Sequence, residues 1–241
     1  MAEAEGARVL VNLQNMGYGF SLKHGITEAK NDTIVIVDAD GTYPVEPIPN
    51  LVARHRQGYH MVVGARSGKH YWGSSVKAPL RVLLKWLVEF TTGRRIPDVN
   101  SGLRVFSRKE IIPYFQHLSN TFSFTTTVTL AYMLNCKFVE YVEIDYRERI
   151  GSTKVRMFRD SLRVLQQIVA TGLYFNPLKI FLAVALMIIV AAGVAIVVGI
   201  AAGIISAIWL GLGFVTVSII VFAMGLFAQA MQHTRIGSDR E

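Results

Sequence analysis

The sequence predicts an α/β domain with a mainly parallel sheet, followed by a hairpin of two transmembrane helices. Short apolar, β-branched segments alternate with helical patterns over the first 176 residues of the 241-residue chain. From Ile180 to Thr234 there is no Asp, Glu, Lys or Arg. Since roughly 20 apolar residues span a bilayer, this stretch has room for two membrane-spanning helices.

The uncharged stretch sets the domain boundaries. We assign residues 1–153 to the α/β domain, 154–176 to a basic amphipathic helix beside the membrane, 177–231 to two transmembrane helices and 232–241 to a tail. The two spans are placed at Pro177–Gly199 and Ser206–Met231. The alternative is one long buried helix, but a soluble domain of this size would not hide ~50 uncharged residues in one helix.

Charge and cysteine content predict where the α/β domain lies. The formal net charge is +8 with 51% hydrophobic residues, which is too apolar for an ordinary soluble domain. Basic residues flank the uncharged stretch on both sides, and the loop inside it has none. By the positive-inside rule, the α/β domain and both termini are cytoplasmic. The single cysteine, Cys136, excludes an internal disulfide and fits a reducing compartment.

The individual elements follow from the spacing of apolar residues. The clearest strand is Thr33–Val37, a continuous β-branched run, and the other predicted strands are Ala7–Asn12, His60–Gly64, Leu103–Phe106 and Phe138–Tyr146. The predicted helices are Ser21–Lys30, Ile48–Gln57, Val76–Thr91, Lys109–Phe115 and Ser123–Leu134. Because strands and helices alternate, we expect a mainly parallel sheet that is covered on both faces.

Two carboxylates follow the Thr33–Val37 strand, in the segment TIVIVDADGTYP. In open α/β sheets, ligands bind outside the carboxyl ends of the strands, which is where Asp38 and Asp40 are expected. Paired carboxylates suit a hard divalent cation that bridges to substrate phosphates. The alternative is an Asp-Gly turn after a strand, which is common.

Five segments in order give the chain a family resemblance. They are NMGYGFSLKHGI at 15–26, VDADGTYP at 37–44, VVGAR at 62–66, DVNSGLRVF at 98–106 and YRERIGSTK at 146–154. With the membrane hairpin after them, they resemble the polyprenyl-phosphate glycosyltransferases of inverting family 2, the dolichol-phosphate mannose synthase type. The resemblance implies a Rossmann-like GT-A fold.

The resemblance also implies roles for individual residues near the donor. Asp38 and Asp40 would hold Mg²⁺ or Mn²⁺ against the donor diphosphate, with Thr42 contributing its hydroxyl where the family often has Gln. Arg66 would lie near the diphosphate. Asp98 and Arg104 would face the sugar or the acceptor, and a buried structural ion pair is the alternative for those two.

A second group of residues matches the family's acceptor-binding pattern, R-x-G-x-S-K. Arg149, Thr153 and Lys154 fit it, with Thr in place of Ser, and are expected to bind the acceptor phosphate. The alternative is a helix cap followed by a basic run beside the membrane.

The helix around VKAPLRVLLKWLVEF has the pattern of a helix that lies in the membrane interface. Lys77, Arg81 and Lys85 are spaced four apart, and Trp86 lies among the leucines that fill the remaining positions. Arg81 is also a candidate contact of the acceptor phosphate. The alternative is a core helix with a solvated basic edge. A second basic face beside the bilayer is expected from Arg156, Arg159 and Arg163.

The amino terminus departs from the family pattern. Members open with two further strands that bind the nucleotide base and ribose, whereas Met1–Gly6 leads here into the strand that is normally third. The GT-A domain is therefore expected to be incomplete. The chain is then a fragment, a protein whose missing strands come from another chain, or an inactive product.

The function that the resemblance implies is transfer of a sugar from a GDP- or UDP-linked donor to a dolichyl or undecaprenyl phosphate. An inactive membrane-anchored remnant or scaffold is the alternative. A processive polysaccharide synthase is a weaker one, because no tryptophan here belongs to a Q-x-x-R-W motif. The expected partners are the nucleotide sugar, the polyprenyl phosphate and the bilayer, not nucleic acid, and a homo-oligomer is left open.

Overall fold

A computed structural model describes residues 5–68, 78–147 and 157–238. The chain divides into two compact units, Met1–Thr171 and Gly172–Glu241. The strands are β1 (Thr33–Ile36), β2 (Met61–Ser67), β3 (Arg104–Ser107) and β4 (Val139–Asp145). The helices of the first unit are α1 (Tyr18–Glu28), α2 (Ile48–Arg56), α3 (Ala78–Thr92), α4 (Arg108–Ile111), α5 (Phe124–Leu134) and α6 (Met157–Phe175), which runs into the second.

The predicted helices and strands between residues 21 and 146 are confirmed to within a few residues. The largest difference is at the helix predicted at Lys109–Phe115, where α4 ends at Ile111 and continues as a 3₁₀ turn, Ile112–Tyr114. Pro113 lies in that turn, and proline has no backbone N–H with which to continue an α-helix.

The predicted strand Ala7–Asn12 is wrong, because these residues form no strand. Side chains hold the segment along α1 instead, and Arg8 contacts Glu28 at 2.6 Å. The apolar pattern is left facing solvent, with Val11 81% exposed. A strand is stable only when a neighbour pairs with its backbone, and within the described residues no strand of the sheet pairs with this segment.

The sheet is mixed, which corrects the expectation of a mainly parallel one. Its order is β1-β3-β2-β4, so β1 is an edge strand within the described sheet. β3 pairs antiparallel with both β1 and β2, whereas β2 and β4 are parallel. Three strands therefore share one direction and β3 opposes them. β3 begins at the edge of the sheet at which β2 ends, so these two strands run in opposite directions.

Helices pack on both faces of the sheet. One apolar cluster joins Leu51 of α2 to Val62, Val105 and Ile144 of the strands. The other joins α3, α5 and α6 and includes Tyr141 of β4. Tyr141 and Ile144 differ by an odd number of residues and therefore point to opposite faces. Each fully buried aliphatic side chain in these clusters contributes about 1.5–3 kcal/mol.

The second unit is a helical hairpin of α7 (Pro177–Ala202) and α8 (Ile205–Ser238). Both helices are long and apolar enough to cross a membrane, as predicted, and their side chains are mostly exposed. Gly203 ends α7 in the left-handed conformation, with φ of 67°. The Ser218 hydroxyl donates to the carbonyl oxygen of Ala185 at 2.9 Å and links the two helices.

Candidate active site

Four loops meet at one edge of the sheet because of the strand directions. The carboxyl ends of β1, β2 and β4 lie there together with the amino end of β3. Asp38 and Asp40 follow β1, and Arg66 is near the end of β2. Asp98 and Gly102 precede β3. The sheet thus brings the predicted donor-side residues to a single edge.

The Asp38 carboxylate is held from two sides. The Tyr18 hydroxyl, at the start of α1, donates to Asp38 Oδ1 at 2.9 Å. The backbone of Gly102 lies so close that a Cβ there would be 2.5 Å from Asp38 Cγ. Burial and the adjacent Asp38 charge raise the pKa of Tyr18, so Tyr18 stays protonated and donates at neutral pH.

Asp40 is tied to the turn that follows it. Its Oδ1 accepts from the Thr42 hydroxyl at 2.6 Å and from the Thr42 N–H at 3.2 Å. Gly41 between them has φ of 75°, a conformation that favours glycine. The Asp-Gly turn that the sequence analysis gave as the alternative to a metal site is therefore present, and it fixes the Asp40 carboxylate. Thr42 is fully buried and acts here on Asp40.

Asp98 forms a buried ion pair with Arg66. Asp98 Oδ2 accepts from Arg66 Nε at 2.7 Å and from the Arg66 N–H at 3.1 Å, and Oδ1 accepts from Nη2 at 2.9 Å. The Asp98 side chain is 2% exposed and that of Arg66 is 18% exposed. Burial alone would raise the pKa of Asp98, but the hydrogen bonds and charge of Arg66 outweigh it and lower the pKa.

Aromatic side chains frame this pair. The Arg66 guanidinium lies over the Tyr146 ring, 5.3 Å from its centroid. Tyr146 in turn meets Tyr43 edge-on at 5.3 Å. The Tyr43 hydroxyl accepts from the N–H of Gly102 at 2.7 Å, next to Asp38. The loops after β1 and β4 are thereby connected to the loop before β3.

Arg104 does not face an open site. It is fully buried and donates to the carbonyl oxygens of Ser101 and Val99 and to the Thr129 hydroxyl. Burial lowers its pKa. This placement favours a structural role for Arg104. The alternative in the sequence analysis was an ion pair between Asp98 and Arg104, but Asp98 pairs with Arg66 instead.

Several predicted residues fall outside the description. Lys77, Arg149, Thr153, Lys154 and Arg156 lie outside the described residues. Arg81 lies in α3, and Arg159 and Arg163 lie in α6, but their side chains are outside the description. The roles of these eight residues stay predictions.

On α3, Lys85 and Trp86 are described. Lys85 Nζ lies 3.9 Å from Glu89 Oε1. Trp86 is 56% exposed, and its ring stacks on Phe90 with 5.5 Å between centroids. An exposed tryptophan beside a lysine is compatible with the predicted membrane interface.

The carboxylates at this edge suit a cation that also binds a substrate. No group of three or more His, Cys, Asp or Glu side chains within the described ranges could hold a metal ion. Asp38 and Asp40 supply carboxylate oxygens, the ligands that Mg²⁺ prefers. Mg²⁺ commonly takes one or two carboxylates and completes its shell with phosphate oxygens and water. The two carboxylates fit that kind of site.

Sequence reasoning missed three tyrosines at this edge. Tyr18, Tyr43 and Tyr146 all lie inside the quoted segments NMGYGFSLKHGI, VDADGTYP and YRERIGSTK. Their position within those segments was the available signal. Their contacts could not be inferred, because each joins residues from different loops.

The fold is that of GT-A glycosyltransferases. Glucosyl-3-phosphoglycerate synthase from Mycobacterium tuberculosis, crystallised with Mn²⁺, UDP-glucose and phosphoglyceric acid, superposes with a TM-score of 0.57 at 18% sequence identity. The match covers 71% of this chain and 62% of the synthase. The same synthase with phosphoglyceric acid alone gives a TM-score of 0.57. This similarity establishes the fold class, as the motifs predicted.

Residues 1–112 match the family model described as glycosyl transferase family 2. Dolichyl-phosphate hexose transferase of Haloferax volcanii is 28% identical over 173 residues, which is 70% of this chain and 73% of that protein. Undecaprenyl-phosphate 4-deoxy-4-formamido-L-arabinose transferase of Klebsiella pneumoniae is 33% identical over 109 residues, 44% of this chain. The match spans only 33% of the Klebsiella protein's length. The resemblance to family 2 is thereby confirmed.

Proposed function

We propose that this chain transfers a sugar from a GDP- or UDP-linked donor to a polyprenyl phosphate, with inversion at the anomeric carbon. The observation that carries the proposal is the carboxylate pair Asp38 and Asp40, on the loop next to the Arg66–Asp98 pair. Relatives named as dolichyl- and undecaprenyl-phosphate sugar transferases support the choice of acceptor.

The chemistry asks mainly for positioning. A phosphate monoester has a second pKa near 6, so the acceptor is largely a dianion at neutral pH and needs little help from a base. Donor and acceptor are both anions, and fixed cations are required to bring them together. Arg81, Arg149, Thr153 and Lys154 are the residues we assign to the acceptor phosphate.

The donor diphosphate is assigned to the loop after β1 and to Arg66. Asp38 and Asp40 would hold Mg²⁺ or Mn²⁺, with Thr42 fixing the Asp40 carboxylate through its hydroxyl. A cation held by these residues would neutralise charge on the leaving diphosphate. Arg66 is oriented by two side-chain hydrogen bonds to Asp98, and its positive charge favours the same anion.

Asp98 is assigned an orienting role rather than a proton transfer. Its pKa is lowered, and its oxygens accept three hydrogen bonds from Arg66 and one from the Asn100 N–H. A carboxylate with these partners stays ionised at neutral pH and has no proton to give. Asp98 instead orients the Arg66 guanidinium toward the donor diphosphate in this proposal.

The membrane assignment rests on the helical hairpin and on α3. The apolar lengths of α7 and α8 support a membrane protein, and from the basic flanks we assign the α/β domain and both termini to the cytoplasm. Trp86 and Lys85 on α3 would lie at the interface, so that a lipid-borne phosphate is within reach of the domain. We assign four further basic residues to the membrane interface: Lys77, Arg156, Arg159 and Arg163.

The test is a transfer assay on the full chain in lipid nanodiscs. Undecaprenyl or dolichyl phosphate, Mn²⁺ and a panel of labelled GDP- and UDP-sugars are supplied, and label is counted in the organic phase. Asp40→Asn removes one carboxylate charge with little change of shape. Glu28→Gln removes a surface carboxylate at the far end of α1 and is the matched control.

The expected result is lipid-linked label from one donor that EDTA and Asp40→Asn abolish and Glu28→Gln leaves intact. Transfer that survives both EDTA and Asp40→Asn would contradict the metal assignment. If no donor yields label, the transferase proposal fails for this chain, and a non-catalytic role becomes the better account.

A further inference from the structure

Tyr18 is the one side chain that the structure shows donating a hydrogen bond to Asp38, among the described residues. Its hydroxyl lies 2.9 Å from Asp38 Oδ1, and the two residues are 20 positions apart in the chain. The Tyr18 ring stacks on Phe122 with 5.9 Å between centroids and an interplanar angle of 15°. Stacking on Phe122 therefore holds the Tyr18 ring, and the Tyr18 hydroxyl donates to the Asp38 carboxylate.

The start of α1 is locked in place by the loop around residue 120. A Cβ on Gly17 would lie 2.6 Å from the carbonyl oxygen of Asn120, and one on Gly19 would overlap the carbonyl oxygen of Ser119. The N–H of Phe20 donates to the Asn120 carbonyl at 3.1 Å. Close backbone approach of this kind leaves α1 little freedom to slide, so the Tyr18 hydroxyl has a fixed position.

Lys23 strengthens the same contact one turn further along α1. Its Nζ donates to the Leu118 carbonyl and to Asn120 Oδ1, each at 2.6 Å. The first two turns of α1 are thus attached to the 118–122 loop by backbone, side chain and ring contacts.

We propose that Tyr18 is a positioning residue that holds the Asp38 carboxylate in the orientation required for the divalent cation. This inference rests on the proposed function, in which Asp38 is a metal ligand. Gly102 closes one side of the carboxylate and Tyr18 fixes its Oδ1, so the carboxylate is ordered before a cation binds. Hydrogen-bond partners of metal ligands typically change metal affinity by about 10–100-fold when they are removed.

A purely structural Tyr18 would behave differently. Its hydroxyl would then only satisfy a half-buried polar group, and its loss would lower thermal stability while metal affinity stayed unchanged. Metal affinity is therefore the decisive measurement.

The experiment titrates the full-length protein in detergent with Mn²⁺ and follows free Mn²⁺ by electron paramagnetic resonance. GDP and UDP are each tested as the accompanying nucleotide. Tyr18→Phe removes the hydroxyl and keeps the ring on Phe122. Tyr132→Phe is the matched control, since it also removes one tyrosine hydroxyl, and the buried Tyr132 hydroxyl has no hydrogen-bond partner in the described part of the chain.

We expect Tyr18→Phe to weaken Mn²⁺ binding by about 10-fold or more, and Tyr132→Phe to bind like the wild type. Equal affinities of Tyr18→Phe and wild type would overturn the role of Tyr18 alone. Equal weakening by both variants would overturn it as well, because the effect would then be general. A wild type that binds no Mn²⁺ with either nucleotide would overturn the metal site and this inference together.

A double-mutant cycle with Asp38→Asn tests the route of the effect. If Tyr18 acts through Asp38, Tyr18→Phe has little further effect on Mn²⁺ affinity in the Asp38→Asn background. An undiminished effect in that background would overturn the inference. Wild-type protein that binds Mn²⁺ but transfers no sugar would contradict the transferase proposal while leaving the assignment of Tyr18 standing.

Discussion

Replacing Arg66 by Met is expected to destabilise the α/β domain strongly. The substitution keeps much of the side-chain length but leaves the Asp98 carboxylate without its charged partner. Asp98 would retain the N–H groups of residues 66 and 100, at 3.1 Å each. Because its side chain is 2% exposed, water cannot replace the guanidinium without rearrangement.

The size of the effect follows from the burial of the pair. Removing one partner of a buried ion pair costs about 3–5 kcal/mol. Arg66 is 18% exposed, so we expect a loss near the lower limit, about 3 kcal/mol. A domain of this size shifts its melting temperature by about 2–4 °C per kcal/mol, which gives a decrease of about 6–12 °C.

The assay is thermal unfolding in detergent, followed by intrinsic tryptophan fluorescence. Arg66→Met is compared with Asp98→Asn and with the double variant, which we expect to be more stable than the sum of the single effects predicts, since it leaves no buried charge. The matched control is Arg147→Met. Arg147 pairs with Glu46 at 3.0 Å, but both side chains are more than half exposed, so little loss of stability is expected.

The pH dependence has a defined sign. The pKa of Asp98 is lower in the folded protein than its ordinary value of 3.8. Its stabilising contribution is therefore fully present above pH 3.8 and is lost as the pH falls through the lower folded-state pKa. The difference in melting temperature between wild type and Asp98→Asn should be largest at neutral pH and shrink below pH 3.8.

Two results would refute this reasoning. One is an Arg66→Met variant that is no less stable than Arg147→Met, because burial would then not govern the cost. The other is a difference between wild type and Asp98→Asn that stays constant down to the lowest pH at which the protein is folded.

Two further predictions concern the metal loop and the membrane interface. Gly102→Ala should push the Asp38 carboxylate aside and lower Mn²⁺ affinity, measured with nucleotide present, by about 10-fold or more. The control Gly25→Ala should leave the affinity unchanged, because a Cβ on Gly25 meets open space. An unchanged affinity in Gly102→Ala would contradict the close contact. With the other two tryptophans replaced by Phe, Trp86 should be quenched by lipids brominated at shallow depth in vesicles; emission typical of water and no quenching would place α3 away from the bilayer.

Much of the fold could be predicted from local pattern. The continuous β-branched run at 33–36 and the apolar spacing of α2, α3 and α5 place these elements to within a few residues. The uncharged stretch locates α7 and α8 by composition alone. The strand predicted at residues 7–12 was wrong because it depended on a non-local contact. An apolar pattern becomes a strand only when a neighbouring strand pairs with it.

The candidate site could be predicted in part. Asp38 and Asp40 follow a strand directly, so their place at its carboxyl end is a local property. Arg66 and Asp98 were both singled out, yet their pairing across 32 residues was not foreseen. Arg104 attracted attention as a charged residue next to a turn, and its burial became visible only when the surrounding helices were in place.

The sequence by itself determined the alternation of strands and helices, the carboxylate pair after β1, the membrane-length helices and the resemblance to glycosyl transferase family 2. The first three depend on residue type and on local spacing, which backbone geometry translates directly, and the resemblance depends on the order of five short segments along the chain. Only the tertiary structure decided that β3 runs against its neighbours, that Asp98 pairs with Arg66, and that Tyr18 fixes Asp38. Those contacts join separate loops at one edge of the sheet, and their partners are selected by the packing of the whole domain.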